Sequence, residues 1–189
     1  GEKNSVFAQN PDNNPIHVVH AYVVDSSAIG IRFSEPYDRL SVKEPAHYFI
    51  QKIGHPIGVY LNEPDYTTLD LQFQKTFEKD VCYTLEIKDS VQDCAGNIIE
   101  KGSSVKFQIP DKISKKDVAI NEVLFNPARG GFDYVEVYNR SGKVIDLKDL
   151  SLATQEPYSN TYEDLCALRY DGYLLFPGEY ALYSESAEW

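Results

Sequence analysis

Methionine is missing altogether, even at position 1, and the opening Gly1-Glu2-Lys3-Asn4 offers no apolar segment of the kind that directs secretion. The chain is therefore expected to begin after a processing junction. It contains no run of about 18 apolar residues, so no membrane-spanning helix is expected. Cysteine is scarce: Cys82, Cys94 and Cys166 are too few for a disulfide framework and lack C-x-x-C spacing. An odd count leaves at least one thiol unpaired within the chain. Cys82 and Cys94 flank one strand-like segment, which would hold them too far apart to bond to each other. Positive charge is also short. Lys and Arg number 18 against 29 Asp and Glu, a net −11, with −5 falling up to Lys112 and −6 after it. Nucleic-acid affinity comes mainly from basic residues neutralising phosphates, so nucleic acid is not expected as a partner. The same argument opposes anionic membrane surfaces.

Catalytic signatures are absent too. The sequence has no G-x-S-x-G, H-E-x-x-H, phosphate-binding loop or dinucleotide fingerprint. Its four histidines, His17, His20, His47 and His55, lie in the first part only. His17 and His20 are three apart on an expected strand and so face opposite sides. They cannot jointly grip a zinc, and solvent-facing or turn positions are expected for the histidines. Carboxylate pairs could be assembled at will from 29 acids and carry no weight. An enzyme is not expected.

What is present is a globular composition, 42% hydrophobic and 13% aromatic, in short period-two runs separated by turn residues. Ile29, Ile31 and Phe33 alternate with Gly30 and Arg32; Leu69, Leu71 and Phe73 with Asp70 and Gln72; Tyr83, Leu85 and Ile87 with Thr84 and Glu86. Each apolar set falls on one face of a strand, which predicts an all-β chain of sandwich type. Further strands are expected at 16–24, 48–52, 58–61, 105–109, 118–125, 132–139, 143–147, 149–153, 173–176 and 180–183. Residues 154–171 read as a long loop. Residues 1–15, with the turn-rich 10–15, read as a flexible lead-in. The proline and charge cluster at 110–116 marks a boundary between a domain at 16–112 and another at 113–189.

Two resemblances follow from particular residues. Ile31-Arg32-Phe33-Ser34-Glu35-Pro36, then Tyr83-Thr84-Leu85 and Asp93-Cys94-Ala95-Gly96-Asn97, resemble bacterial Ig-like domains of S-layer and other surface proteins. In the second part, Ala119-Ile120-Asn121-Glu122-Val123 and Asp133-Tyr134-Val135-Glu136-Val137-Tyr138-Asn139, with Leu174 to Tyr183 around Pro177-Gly178-Glu179, are similar to the lamin tail domain. That domain is also an Ig-like sandwich. Its usual pattern runs on for several strands, so the second domain, with five or six strands, is expected to be incomplete and to leave an unpaired edge at 180–183. Glu179 and Glu185 bracket that strand and would discourage edge pairing. Together the resemblances imply tandem Ig-like sandwiches, in an extracellular, cell-surface or periplasmic setting.

Candidate residues fall into three groups. Asn121, Glu122, Gly130, Gly131, Glu136 and Asn139 in the second part, and Asp93, Gly96 and Asn97 in the first, are polar or turn residues expected to pin sandwich corners. Asp12-Asn13-Asn14 and the Asp93 to Asn97 turn offer oxygen ligands for calcium. Neither stretch alone approaches six to eight oxygens, so no metal or cofactor is expected. Tyr134, Tyr138, Tyr158, Tyr162 and Tyr170 are the candidate binding residues, able to anchor a protein or stack on a sugar. The sequence thus points to a non-catalytic spacer and interaction module that binds a protein or surface partner and neighbours other domains of a larger bacterial protein. The alternative is a carbohydrate-binding module using the second domain's tyrosines.

Overall fold

The computed structural model describes residues 12–184 apart from Arg129, Pro157 and Asn160. The expectations for residues 1–11, Pro157 and Glu185 concern residues outside those described. The chain is all-β, and the only helices described are two three-residue 3-10 turns, Pro45–His47 and Leu147–Asp149.

The first part forms seven strands: β1 (Val18–Asp25), β2 (Ala28–Phe33), β3 (Tyr48–Ile50), β4 (Gly58–Leu61), β5 (Thr68–Gln72), β6 (Tyr83–Ile87) and β7 (Ser104–Phe107). They pair in two antiparallel sheets, ordered β1-β2-β5-β4 and β3-β6-β7. The alternation sets the register: Ile29 lies opposite Leu71 and Ile31 opposite Leu69. The Tyr83, Leu85 and Ile87 face of β6 is buried while Thr84 and Glu86 are exposed. Between the sheets Phe73, Phe77, Tyr83 and Phe107 form an aromatic cluster, with Phe77 set edge-on to Phe107 at 4.9 Å. Buried Tyr37 and Tyr48 donate their hydroxyls to the Thr68 and Val42 carbonyls at 2.7 and 2.9 Å, so the polar tips are not stranded in the core.

The second part adds β8 (Val118–Leu124), β9 (Tyr134–Asn139), β10 (Ile145–Asp146), β11 (Ser151–Gln155), β12 (Tyr162–Ala167), β13 (Leu174–Leu175) and β14 (Tyr180–Ser184). This makes seven strands where five or six were expected. The extra one, β12, lies inside the supposed long loop and pairs with β11. A shift of register between Leu152 and Thr154, with Asp164 at φ +52°, bulges that pair. The bulge erases the alternation a strand normally writes into its sequence. The other sheets are ordered β14-β9-β8 and β10-β13, and they enclose a small core of Val137, Ile145, Leu147, Leu168 and Leu175.

The two parts share packing. Val144 and Leu174 are buried within the core of the first sandwich, and Phe176 packs against it. The Asp111 amide donates to the Val144 carbonyl at 2.8 Å. Cys82, Cys94 and Cys166 are free and exposed.

Candidate functional site

The sheet β14-β9-β8 has one face on the small core and one in solvent. Val137 points inward and is buried, while Tyr134, Glu136 and Tyr138 occupy the opposite face. The register sets Tyr180 beside Tyr138, Leu182 beside Glu136 and Ser184 beside Tyr134 on that face. A groove of about 400 Å³ results, lined chiefly by Leu124, Phe132, Tyr134, Leu182 and the carboxylates Glu122 and Glu136. Its polar groups are organised. The Tyr134 hydroxyl donates to Glu122, which raises the phenol's pKa above its ordinary value, and the Asn121 amide donates to Glu136 at 2.7 Å. Tyr138 and Tyr180 stack on each other with ring centroids 4.6 Å apart.

The five candidate tyrosines are therefore not one site. Tyr134 and Tyr138 share the face just described. Tyr162 instead lines a second groove, between β8 and the β11-β12 pair, and Tyr158 and Tyr170 stand almost fully exposed away from both. Sequence reading missed Tyr180, Phe132 and Leu182 as members of the face. The pairing of β14 with β9 reveals Tyr180 and Leu182, which do alternate with Ala181 and Tyr183 in the sequence, and the turn before β9 brings Phe132 to the groove.

Of the residues expected at sandwich corners, Asn121, Glu122 and Glu136 instead lie within β8 and β9 on the grooved face, because their side chains pair across the two strands; the others lie at or beside turns. Gly130 has φ +91°, and the Gly131 amide closes the turn on the Ala128 carbonyl at 2.8 Å. Asn139 is buried and its side chain makes four hydrogen bonds. Its amide donates to the Lys143 and Leu175 carbonyls, and its oxygen accepts from the Ser141 amide and hydroxyl.

Asp93 is 1% exposed and accepts from the Ala95 and Asn97 amides at 2.7 and 2.9 Å and from the Asn97 side chain at 2.8 Å. Burial pushes its pKa up, but these donors outweigh burial and hold it below the ordinary carboxylate value. Gly96, at φ +91°, permits the loop to wrap around the carboxylate. Asp93→Ala is expected to cost about 2 kcal/mol, because three hydrogen bonds to a buried carboxylate are lost. Urea unfolding of the first sandwich checks this, and a loss below about 0.5 kcal/mol would show the loop holds without it. The Asp93 contribution is present above its unfolded value of 3.8 and lost as pH falls through its lower folded value.

The fold also brings together the two stretches that the sequence offers separately as calcium ligands. Carboxylate oxygens of Asp12, Glu35 and Asp93 lie within 4.8 Å of one another, and the Asn97 side chain donates to the Asp12 carbonyl at 3.1 Å. Burial first, then the neighbouring Asp12 and Asp93, raise the Glu35 pKa. With one oxygen from each, as they are placed, three carboxylates fall short of calcium's usual six to eight, and those of Asp93 already serve the loop.

His17 is exposed, whereas His20 is buried, contrary to the expected solvent-facing position. The outer face of β1 is covered by residues of the second part, with the Tyr173 ring 4.9 Å from the imidazole. His47 and His55 each set Nδ1 against a backbone carbonyl, of Ser41 at 2.8 Å and Tyr48 at 2.6 Å. These four rings do not converge on one center.

No curated protein matches the sequence. Among solved structures, the N-terminal part of the bacterial S-layer protein SbsC is 13% identical, with a TM-score of 0.44 over 87% of this chain and 44% of that one. A longer structure of the same S-layer protein is 16% identical, with a TM-score of 0.45 over 89% of this chain and 32% of the other. The chain thus spans less than half the length of either. The family comparison is direct: residues 4–109 match the bacterial Ig-like domain, more than half of the sequence. The chain belongs to the bacterial Ig-like domain family.

Proposed function

We propose that the chain is a non-catalytic spacer and interaction module of a larger bacterial protein, displayed outside the cytoplasm, and that it binds a protein partner through the outer face of β14-β9-β8. The observation that carries this reading is the groove itself. Leu182, Phe132 and Tyr180 are left exposed on one sheet face beside a rim of Glu122 and Glu136. Large apolar side chains gathered on one face mark interaction surfaces more often than singly scattered ones. In this reading residues 16–112 are the spacing unit and 113–189 a lamin-tail-like unit.

The test is retention of the purified chain on isolated cell-envelope fractions. Leu182→Asp together with Tyr134→Ala should lower the bound fraction at least tenfold with an unchanged circular dichroism spectrum. Equal retention of variant and wild type would remove the face from consideration. The carbohydrate-binding alternative rests on Tyr138, Glu136 and Asn121 standing side by side. A glycan array that lights up with wild type and goes dark with Tyr138→Ala would put it first. The stacked Tyr138 and Tyr180 rings already occupy faces that a sugar would need, which weighs against it.

We also propose that folding requires no metal. Chelation with EDTA is expected to leave the melting temperature within about 2 °C. A drop beyond about 5 °C would assign the Asp12, Glu35 and Asp93 cluster a structural cation.

A further inference from the structure

His20 is 7% exposed, neither ring nitrogen makes a well-formed hydrogen bond, and the Gly172 backbone is the polar group close enough to favour a proton on the ring. It sits where the two sandwiches meet. From its own strand β1 it faces the Tyr22 phenol, with ring centroids 6.2 Å apart. From β2 comes Arg32. The 169–173 segment supplies Arg169, Asp171 and Tyr173, while Lys106 of β7 and Glu179 before β14 line the same cleft as the imidazole.

The charges are already paired without the histidine. Asp171 receives Arg32 Nε at 2.9 Å on one oxygen and lies 3.3 Å from Arg169 Nε on the other, bridging a guanidinium of each sandwich. Lys106 lies over the Phe176 ring at 4.8 Å, and Glu179 accepts the Phe176 amide at 3.0 Å. His20 Nε2 is 4.0 Å from Asp171, too far for a hydrogen bond. Burial first, then the Arg169 charge, holds the imidazole down to about 4, so at neutral pH it is an uncharged spacer between the sandwiches.

A proton on His20 would create a third cation beside one carboxylate that two guanidiniums share. It would also add a second buried N–H where the Gly172 backbone is the one acceptor at hand. Solvent relieves both problems if the second sandwich moves off β1. A Cβ at Gly172 would lie 2.5 Å from Tyr22 Cβ, so the segment seats flush on the strand and only glycine fits there.

We propose that the junction between the two sandwiches is an acid-released joint, closed while His20 is neutral and opened by its protonation, so that the module changes from a closed pair to a hinged one. The proposal goes beyond the binding reading and does not depend on any partner.

The native thiols provide the test. Spin labels on Cys94 and Cys166 of the full chain, with Cys82→Ser, report the distance between the sandwiches by pulsed electron resonance. A single narrow distribution is expected at pH 7.5, gaining a broad component as pH falls from 6 to 4 while far-UV circular dichroism keeps its β signal. His20→Phe and His20→Asn cannot titrate, and at least one should stay narrow throughout. Gly172→Val should be broad already at pH 7.5. An unchanged wild-type distribution down to pH 4 overturns the proposal, as does equal broadening in both His20 variants. Loss of the β signal together with the broadening also overturns it, because the whole fold and not the joint would then be titrating.

Discussion

Replacing Asn139 with leucine is expected to cost the second sandwich about 4 kcal/mol, the largest single loss anticipated from a point change in this chain. The side chain is wholly buried and fully used. Its two N–H groups reach the carbonyls of Lys143 and Leu175, and its oxygen receives the amide and hydroxyl of Ser141. It therefore ties the end of β9 to the β9-β10 turn and to β13 in one step. The backbone adds to this, since the Asn139 amide donates to the Glu179 carbonyl and its carbonyl accepts from Gly178. Leucine fills nearly the same space but leaves several buried polar groups without partners, each costing about 1–3 kcal/mol before relaxation. Asparagine to aspartate is expected to be similarly damaging for a different reason, because a carboxylate would then face two carbonyl oxygens. Hydrogen exchange at β9, β10 and β13 during urea titration isolates the second sandwich. A loss below about 1 kcal/mol for the leucine variant would mean that water or a rearranged turn replaces the side chain.

Why Asn139 could be named in advance while other features could not is a matter of range. Its place at the end of Tyr134-Val135-Glu136-Val137-Tyr138 marks a strand about to turn, which is local information. The alternation of Tyr83, Leu85 and Ile87 is equally local, and the structure buries that face and exposes the other. β12 was hidden because both of its faces are largely exposed, so no apolar period is required of it, and because the bulge at Asp164 breaks what period there is. β10 and β13, at two residues each, are too short to show any period. The Tyr138 and Tyr180 stack joins positions about forty residues apart. The approach of Asp12 and Glu35 to Asp93 spans most of the first sandwich. The burial of His20 depends on a segment some 150 residues later. Such contacts leave no mark in the local sequence on either side.

Between pH 7 and pH 4.5 the wild-type chain is expected to lose up to about 2.4 kcal/mol of stability that His20→Phe keeps. The sign follows from where the proton is held. His20 has an ordinary value of 6.5 when unfolded and about 4 in the fold, so between those limits the unfolded chain binds the extra proton. Stability is therefore full above pH 6.5, declines as pH falls toward 4, and levels off below that. The whole interval is worth roughly 3 kcal/mol at 1.36 kcal/mol per pH unit. The carboxylates do not imitate this loss. Asp93 and Asp171, with values below the ordinary 3.8, give up their contributions only at lower pH. Glu35, with a raised value, acts in the opposite direction as acid is added, since its folded form takes up the proton more readily. The joint sets a ceiling on the effect. Once the sandwiches part, His20 regains water and its ordinary affinity for protons, so the loss cannot exceed the free energy with which the joint holds at neutral pH. A wild-type loss that stops short of about 2.4 kcal/mol by pH 4.5, levelling off at the pH where the spin-label distance broadens, would measure that free energy directly. Urea curves at half-unit pH steps decide the matter: parallel stability profiles for wild type and His20→Phe from pH 7 to 4.5 would show that the imidazole is not kept neutral by the fold.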